Sequence, residues 1–130
     1  MPLAWNPLTS TFDLTGIGGG GGMTYNEETG TSATMAVGNA YIANNAGLVT
    51  LTLPTTAAVG DVVAAIGKGA GLFKIAQNAS QIIHYIDVDT TTGTGGSLTA
   101  IERYNSIELV CIVADTEWVV RFSTGNWTVV

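Results

Sequence analysis

Basic residues are scarce in this chain. Lys68, Lys74, Arg103 and Arg121 are the only four cations against ten Asp and Glu, a formal net charge of −6. Nucleic-acid binding neutralises phosphates with clustered Lys and Arg, and four scattered cations argue against that class of partner. Cysteine is nearly absent: Cys111 stands alone, which excludes a disulfide within the chain and a stapled secreted scaffold. It lies inside the apolar run Ile107 to Val113, where a buried small hydrophobe is a better reading than a nucleophile. His84 is the only histidine, and one histidine with one distant cysteine does not make a zinc set. No GxSxG elbow is present, so no Ser-His-Asp order carries a nucleophile. No apolar run approaches the roughly 20 residues of a membrane span. Met1 to Gly22 lacks the basic start and continuous apolar stretch of a secretion signal.

Charged residues make up only 11% of the chain and hydrophobic ones 46%, where an ordinary soluble domain carries about 25% charged. Thr, Ser, Asn and Gly are therefore expected to cover the surface, with part of it buried against other subunits. The seventeen glycines suit tight turns and the many threonines suit strands.

What is present is a repeated short-strand pattern. In YIANNAGLVTLTL, Tyr41 to Leu53, the residues Val49, Leu51 and Leu53 alternate with Thr50 and Thr52, the period of a half-buried strand. Pro54 and a Gly60-Asp61 turn close it. Further strands are expected over Ala36–Ala43, Asp61–Ile66, Gly71–Ala76, Gln81–Val88, Ser106–Ala114, Glu117–Phe122 and Asn126–Val130. Turn chemistry separates them at Asn44–Gly47, Gly67–Gly71 and Gln77–Ser80, and a Thr- and Gly-rich loop runs from Asp89 to Gly96. About eight strands at roughly 8–12-residue spacing predict an all-β sandwich or barrel. The short connections predict antiparallel order. Trp118, Val120 and Phe122 are expected to face inward, opposite Val119 and Arg121. Ile107–Val113 is apolar on both faces, as in a strand also covered by another subunit. No internal repeat at a fixed period is evident. The glycine run Gly18–Gly22 reads as a linker. It divides an N-terminal docking arm (1–16, with Trp5, Leu8, Phe12 and Leu14 as anchors) and a Gly-rich linker (17–22) from a β-sandwich domain (23–130). The arm is expected to dock on a partner or neighbouring subunit, with a disordered leader as the equal alternative. Met23 to Thr34 reads as polar and turn-like.

Gly67-Lys68-Gly69-Ala70-Gly71 superficially suggests a phosphate loop, but it joins two strands and Lys68 is followed by glycine, so it reads as a hairpin turn. Counted from Asp87, the sixth and twelfth positions of a calcium loop are Thr92 and Leu98 rather than Gly and Glu. A looser calcium or carbohydrate contact at Asp87 and Asp89 stays open. His84 is either an ordinary strand residue or a pH-sensitive group. Tyr85, Tyr104 and Trp127 lie near loops or strand ends, where rings stack on sugars or pack into the core. No catalytic, cofactor or metal set emerges, and no enzymatic activity is expected.

The runs GNAYIANNAGLVTLTLPTTAAVGD, GKGAGLFKIAQNASQIIH, RYNSIELVC and EWVV resemble a C-terminal module of phage tail fibres and related prophage proteins. The likeness covers about Ala36 to Val130. The arm WNPLTSTFDLTG is similar to short segments that precede Gly-rich stretches in phage structural proteins. The resemblance implies a homotrimeric, jelly-roll-like β-sandwich at a fibre tip that contacts host cell-surface glycans. It implies a virion protein made in the host cytoplasm, and if the arm docks on a partner, other virion tail proteins are the candidates. No long fibre shaft is present in the sequence. A purely structural trimerisation cap is the alternative, and a polysaccharide-cleaving module a more distant one. If a glycan is bound, the loop-flanking set Tyr85, Asp87, Asp89, Arg103, Tyr104 and Trp127 is the best supply of rings and hydrogen-bonding groups. The Asn44–Gly47 and Gly67–Gly71 turns are the next.

Overall fold

The computed structural model describes residues 22–130. The expected arm (1–16), and all of the expected linker (17–22) except Gly22, lie outside the described residues. Twelve strands follow in order: β1 (Thr24–Glu28), β2 (Ser32–Thr34), β3 (Asn39–Ala43), β4 (Val49–Thr52), β5 (Val62–Gly67) and β6 (Phe73–Ala76). Then come β7 (Ile82–Tyr85), β8 (Val88–Asp89), β9 (Ser97–Ala100), β10 (Ser106–Val113), β11 (Glu117–Thr124) and β12 (Trp127–Val129). They form an all-β sandwich. A seven-stranded sheet has the order β1-β3-β5-β10-β11-β7-β8, and a five-stranded sheet the order β12-β9-β6-β4-β2.

The expected antiparallel order is corrected: both sheets are mixed. β1, β3 and β5 run parallel in one sheet and β2, β4 and β6 run parallel in the other. From β1 to β7 each strand lies in the opposite sheet from the one before it. A parallel neighbour is thus reached by way of a strand across the sandwich, and no long crossover is needed. The two-sheet coil replaces the Greek-key connections of a jelly roll. It also makes the Gly67–Gly71 segment an arc between sheets rather than a hairpin turn.

Two coils stack in strict register. Ala40 pairs with Ala64 and Val49 with Phe73, each 24 positions on. The match extends into the arcs, where Ala46-Gly47-Leu48 lies against Ala70-Gly71-Leu72. This 24-residue repeat corrects the expectation that the chain holds no internal repeat. Its glycines are required by space. A Cβ on Gly71 would lie 2.0 Å from the Gly47 carbonyl oxygen, and one on Gly69 2.3 Å from the Asn45 nitrogen.

Alternation explains the core. Val49, Leu51 and Leu53 are buried while Thr50 and Thr52 are half-buried. Phe73 and Ile75 fall in register with Val49 and Leu51. Val63, Leu98, Ile107, Leu109, Cys111 and Trp118 complete the interior. Each large apolar side chain buried here contributes about 1.5–3 kcal/mol. Burial pushes the Cys111 thiol upward, with its Sγ–H donating to the Val113 carbonyl at 3.2 Å. Phe122 corrects an expectation. Glu108 pairs with Phe122 but Leu109 with Val120, so Arg121 is the extra residue of a bulge. The alternation flips there and Phe122 turns outward, 55% exposed.

A buried polar knot closes one side. The Gln77 amide donates to the carbonyls of Gln81 (2.6 Å), Thr91 and Gly93 (2.9 Å each). The Gln81 amide donates to Pro54 (2.8 Å) and Asp115 (3.0 Å). Thr90 donates its hydroxyl to Gln77 and accepts from the Ile83 amide. Buried amides of this kind are tolerated only when satisfied. These bonds fasten the 90–96 loop to the sandwich.

Candidate functional site

The structure divides the six sequence-selected residues between two places. Tyr85, Asp87 and Asp89 belong to the β7–β8 hairpin at the edge of the seven-stranded sheet. Tyr85 is half-buried against the core. Asp89 Oδ1 lies 2.7 Å from His84 Nδ1, and Glu117 Oε1 lies 3.0 Å from His84 Nε2. Both carboxylates raise the His84 pKa, Asp89 through the larger effect. The hairpin tip carries Ile86 at φ 57° and 86% exposed.

Arg103 and Tyr104 lie in the β9–β10 loop, at the end of β5, which is three strands from β7. At the usual strand spacing that is about 14 Å. The loop is pinned on both sides of this pair. The Tyr104 amide donates to Gly67 O (2.9 Å), and the Gly67 amide donates to Asn105 O (3.0 Å). Buried Asn105 donates its side-chain amide to Asn126 O at 2.7 Å. The Glu102 carboxylate accepts from the Asn126 backbone and side-chain amides. Held this way, Tyr104 takes φ 69° and is left 65% exposed. A non-glycine residue in that region is strained, and such strain gathers where a side chain is presented for use. The Arg103 guanidinium lies 5.3 Å from the Tyr104 ring centroid, and its Nε donates to Lys68 O at 2.9 Å.

The stacked arcs form the floor beside this pair. Lys68 Nζ lies 3.3 Å from Glu27 Oε2, which also accepts from Asn44 Nδ2 at 2.7 Å. Asn44 first, then Lys68, holds the Glu27 carboxyl below its usual range. Asn45 donates to Thr29 O and accepts from the Gly47 amide. The amides of Lys68 and Gly69 donate to Ala43 O, and that of Gly71 to Asn45 O. The glycine-rich arc therefore spends its N–H groups on the coil beneath, which removes the phosphate-cradle reading. Trp127 is turned inward at the same end. Its ring meets Phe73 edge-on at 5.5 Å, and its Nε1 donates to Thr124 O at 3.2 Å.

The site so assembled joins Arg103 and Tyr104 with the Asn44–Gly47 and Gly67–Gly71 turns, supported by Trp127. Both turns are the next candidates by sequence, but Glu27, which ties Lys68 to Asn44, was missed. The signal available was the Ala-Gly-Leu recurrence, which stacks the two arcs. Among the described residues, no group of three or more His, Cys, Asp or Glu is arranged to hold a metal ion.

A second feature is the outward face of the seven-stranded sheet. Tyr25, Ala40, Ala64, Glu108 and Phe122 form one row across β1, β3, β5, β10 and β11. Small alanines between large rings leave a depression of about 140 Å³, lined also by Met23 and Ile66. Ile112 and Val113 expose further apolar surface on β10. No protein-family model matches the chain, and no curated protein matches it.

Proposed function

We propose that this chain is a non-enzymatic fibre-tip module of phage type, which assembles as a homotrimer and contacts host cell-surface glycans through the Arg103–Tyr104 end. The observation that carries the reading is the Tyr104 ring, exposed and held at positive φ beside an anchored guanidinium. An aromatic face bordered by hydrogen-bonding groups is what a sugar ring needs. Trimerisation rests on the apolar outward face of the seven-stranded sheet, where Tyr25, Phe122, Ile112 and Val113 are exposed. Exposed apolar area of that kind marks an interaction surface. Three weak saccharide contacts on one particle then gain avidity. The sequence likeness to tail-fibre tips supports the same assignment, including a place on the virion.

The alternative is a structural cap that registers fibre chains and binds nothing. Adsorption of the protein to bacterial cells, with Tyr104→Ala alongside, separates the two. Light scattering is expected to give three chains per particle for both proteins. The wild type is expected to adsorb and the variant to lose about 1 kcal/mol per site, the worth of a stacking contact, magnified by trivalency. A trimer that fails to adsorb would leave only the cap, and adsorption indifferent to Tyr104 would move the site away from the Arg103–Tyr104 end.

A further inference from the structure

The saccharide recognised at the Arg103–Tyr104 end is acidic: we infer that a carboxylate-bearing sugar stacks on Tyr104 and sets its carboxylate on the outer edge of the Arg103 guanidinium. This inference rests on the glycan reading above and names the ligand class.

Two arginines of the chain lie over rings, and they differ in one respect. Arg121 lies 5.7 Å from the Phe122 centroid, and its Nη1 is spent on Glu108 at 2.7 Å. Arg103 lies 5.3 Å from the Tyr104 centroid and, among the described residues, forms no ion pair. Its Nε is held on a backbone carbonyl while its Cζ lies over the ring. The two terminal nitrogens remain as an oriented fork, the geometry that takes a carboxylate through two parallel hydrogen bonds. A neutral sugar needs none of this, since asparagine or glutamine serves hydroxyl groups equally well. The Lys68 ammonium is engaged with Glu27 at 3.3 Å, and Lys68 meets Arg103 through its backbone carbonyl.

Long-range electrostatics point the other way, because a chain of net charge −6 repels a polyanion. That field is screened beyond about 8 Å at physiological salt. Recognition of an acidic sugar then depends on a cation at contact distance, and Arg103 is the arginine beside an exposed ring that, among the described residues, is not already paired with a carboxylate.

The test is a panel of acidic bacterial polysaccharides, each paired with its carboxyl-reduced form, in which the carboxylate has become a primary alcohol on an unchanged ring. Wild-type protein is expected to bind at least one acidic form about tenfold or more tightly than its reduced partner, as losing a charged hydrogen-bonded pair requires. Arg103→Gln is expected to bind both forms at the level the wild type shows for the reduced one, while Tyr104→Ala weakens both. Equal wild-type affinity for acidic and reduced forms overturns the inference and leaves the glycan reading standing. So does discrimination that survives in Arg103→Gln. Failure to bind any member of the panel overturns the glycan reading itself.

Discussion

Gly71→Ala is a small change with a large expected effect. The new methyl carbon would lie 2.0 Å from the Gly47 oxygen and 2.1 Å from the Gly47 carbonyl carbon. Non-bonded heavy atoms settle at about 3.5–4.0 Å, so the two arcs must separate by more than 1 Å locally. Both partners are backbone, and no flexible side chain can give way. Separation stretches the Gly71 N–H bond to Asn45 O, now 3.0 Å, and the neighbouring bonds from Lys68 and Gly69 to Ala43 O. Overpacking costs about 1–3 kcal/mol, and each weakened backbone bond adds about 0.5–1.5 kcal/mol. A loss of about 2–4 kcal/mol is expected, read as a lower urea midpoint by circular dichroism at unchanged slope. Gly95→Ala is the control, because nothing lies within 4 Å of its Cβ position. It should be neutral or stabilise by about 0.4–1 kcal/mol through the unfolded chain. A Gly71→Ala protein within about 0.5 kcal/mol of wild type, the usual range of surface changes, would refute the stacked-coil argument.

His84 gives a pH-dependent expectation. Neutral imidazole has one N–H and one lone pair, whereas Asp89 and Glu117 both offer only acceptors. The doubly bridged geometry therefore belongs to the imidazolium. Its folded pKa is raised above 6.5, so the stabilisation is fully present below that value and is lost as pH rises through the raised one. Partly exposed pairs of this type are worth about 0.2–1 kcal/mol. The stability gap between wild type and His84→Ala should close as pH rises, and a gap that widens would contradict the assignment. Ile86, a β-branched residue at φ 57° on an open hairpin tip, carries about 1–2 kcal/mol of left-handed strain. Ile86→Asn should raise the unfolding free energy by most of that amount, read as a higher urea midpoint, and a lower midpoint would show that the tip is not strained.

Much of the sandwich was legible in the sequence because alternation survives wherever one face is buried. The strand over Val49–Thr52 and the inward Phe73 and Ile75 follow directly from it. β1 and β2 escaped because they close one edge of each sheet and present mostly exposed polar residues. β9 escaped because Ser97, Leu98 and Ala100 are all buried, which erases the alternation. Parallel order was hidden by the assumption that consecutive strands share a sheet. Phe122 was misplaced by a bulge that no residue type announces. At the site, Arg103 and Tyr104 stood out as a cation and a ring in a loop. The Asn44–Gly47 and Gly67–Gly71 turns stood next in line, but Glu27, and its contacts with Lys68 and Asn44, did not, because these residues meet only through strand register. The split between Tyr104 and the Tyr85–Asp89 hairpin is likewise a property of strand order, set by the insertion of β10 and β11 between β5 and β7.

The most direct test of the account is amide chemical-shift mapping of the labelled protein during titration with an acidic polysaccharide fragment that it binds. Shifts are expected at residues 44–47, 67–72 and 101–105, with residues 84–89 and the five-stranded sheet unmoved. Shifts confined to the β7–β8 hairpin, or spread over the outward face of the seven-stranded sheet, would contradict the placement of the glycan site at the Arg103–Tyr104 end.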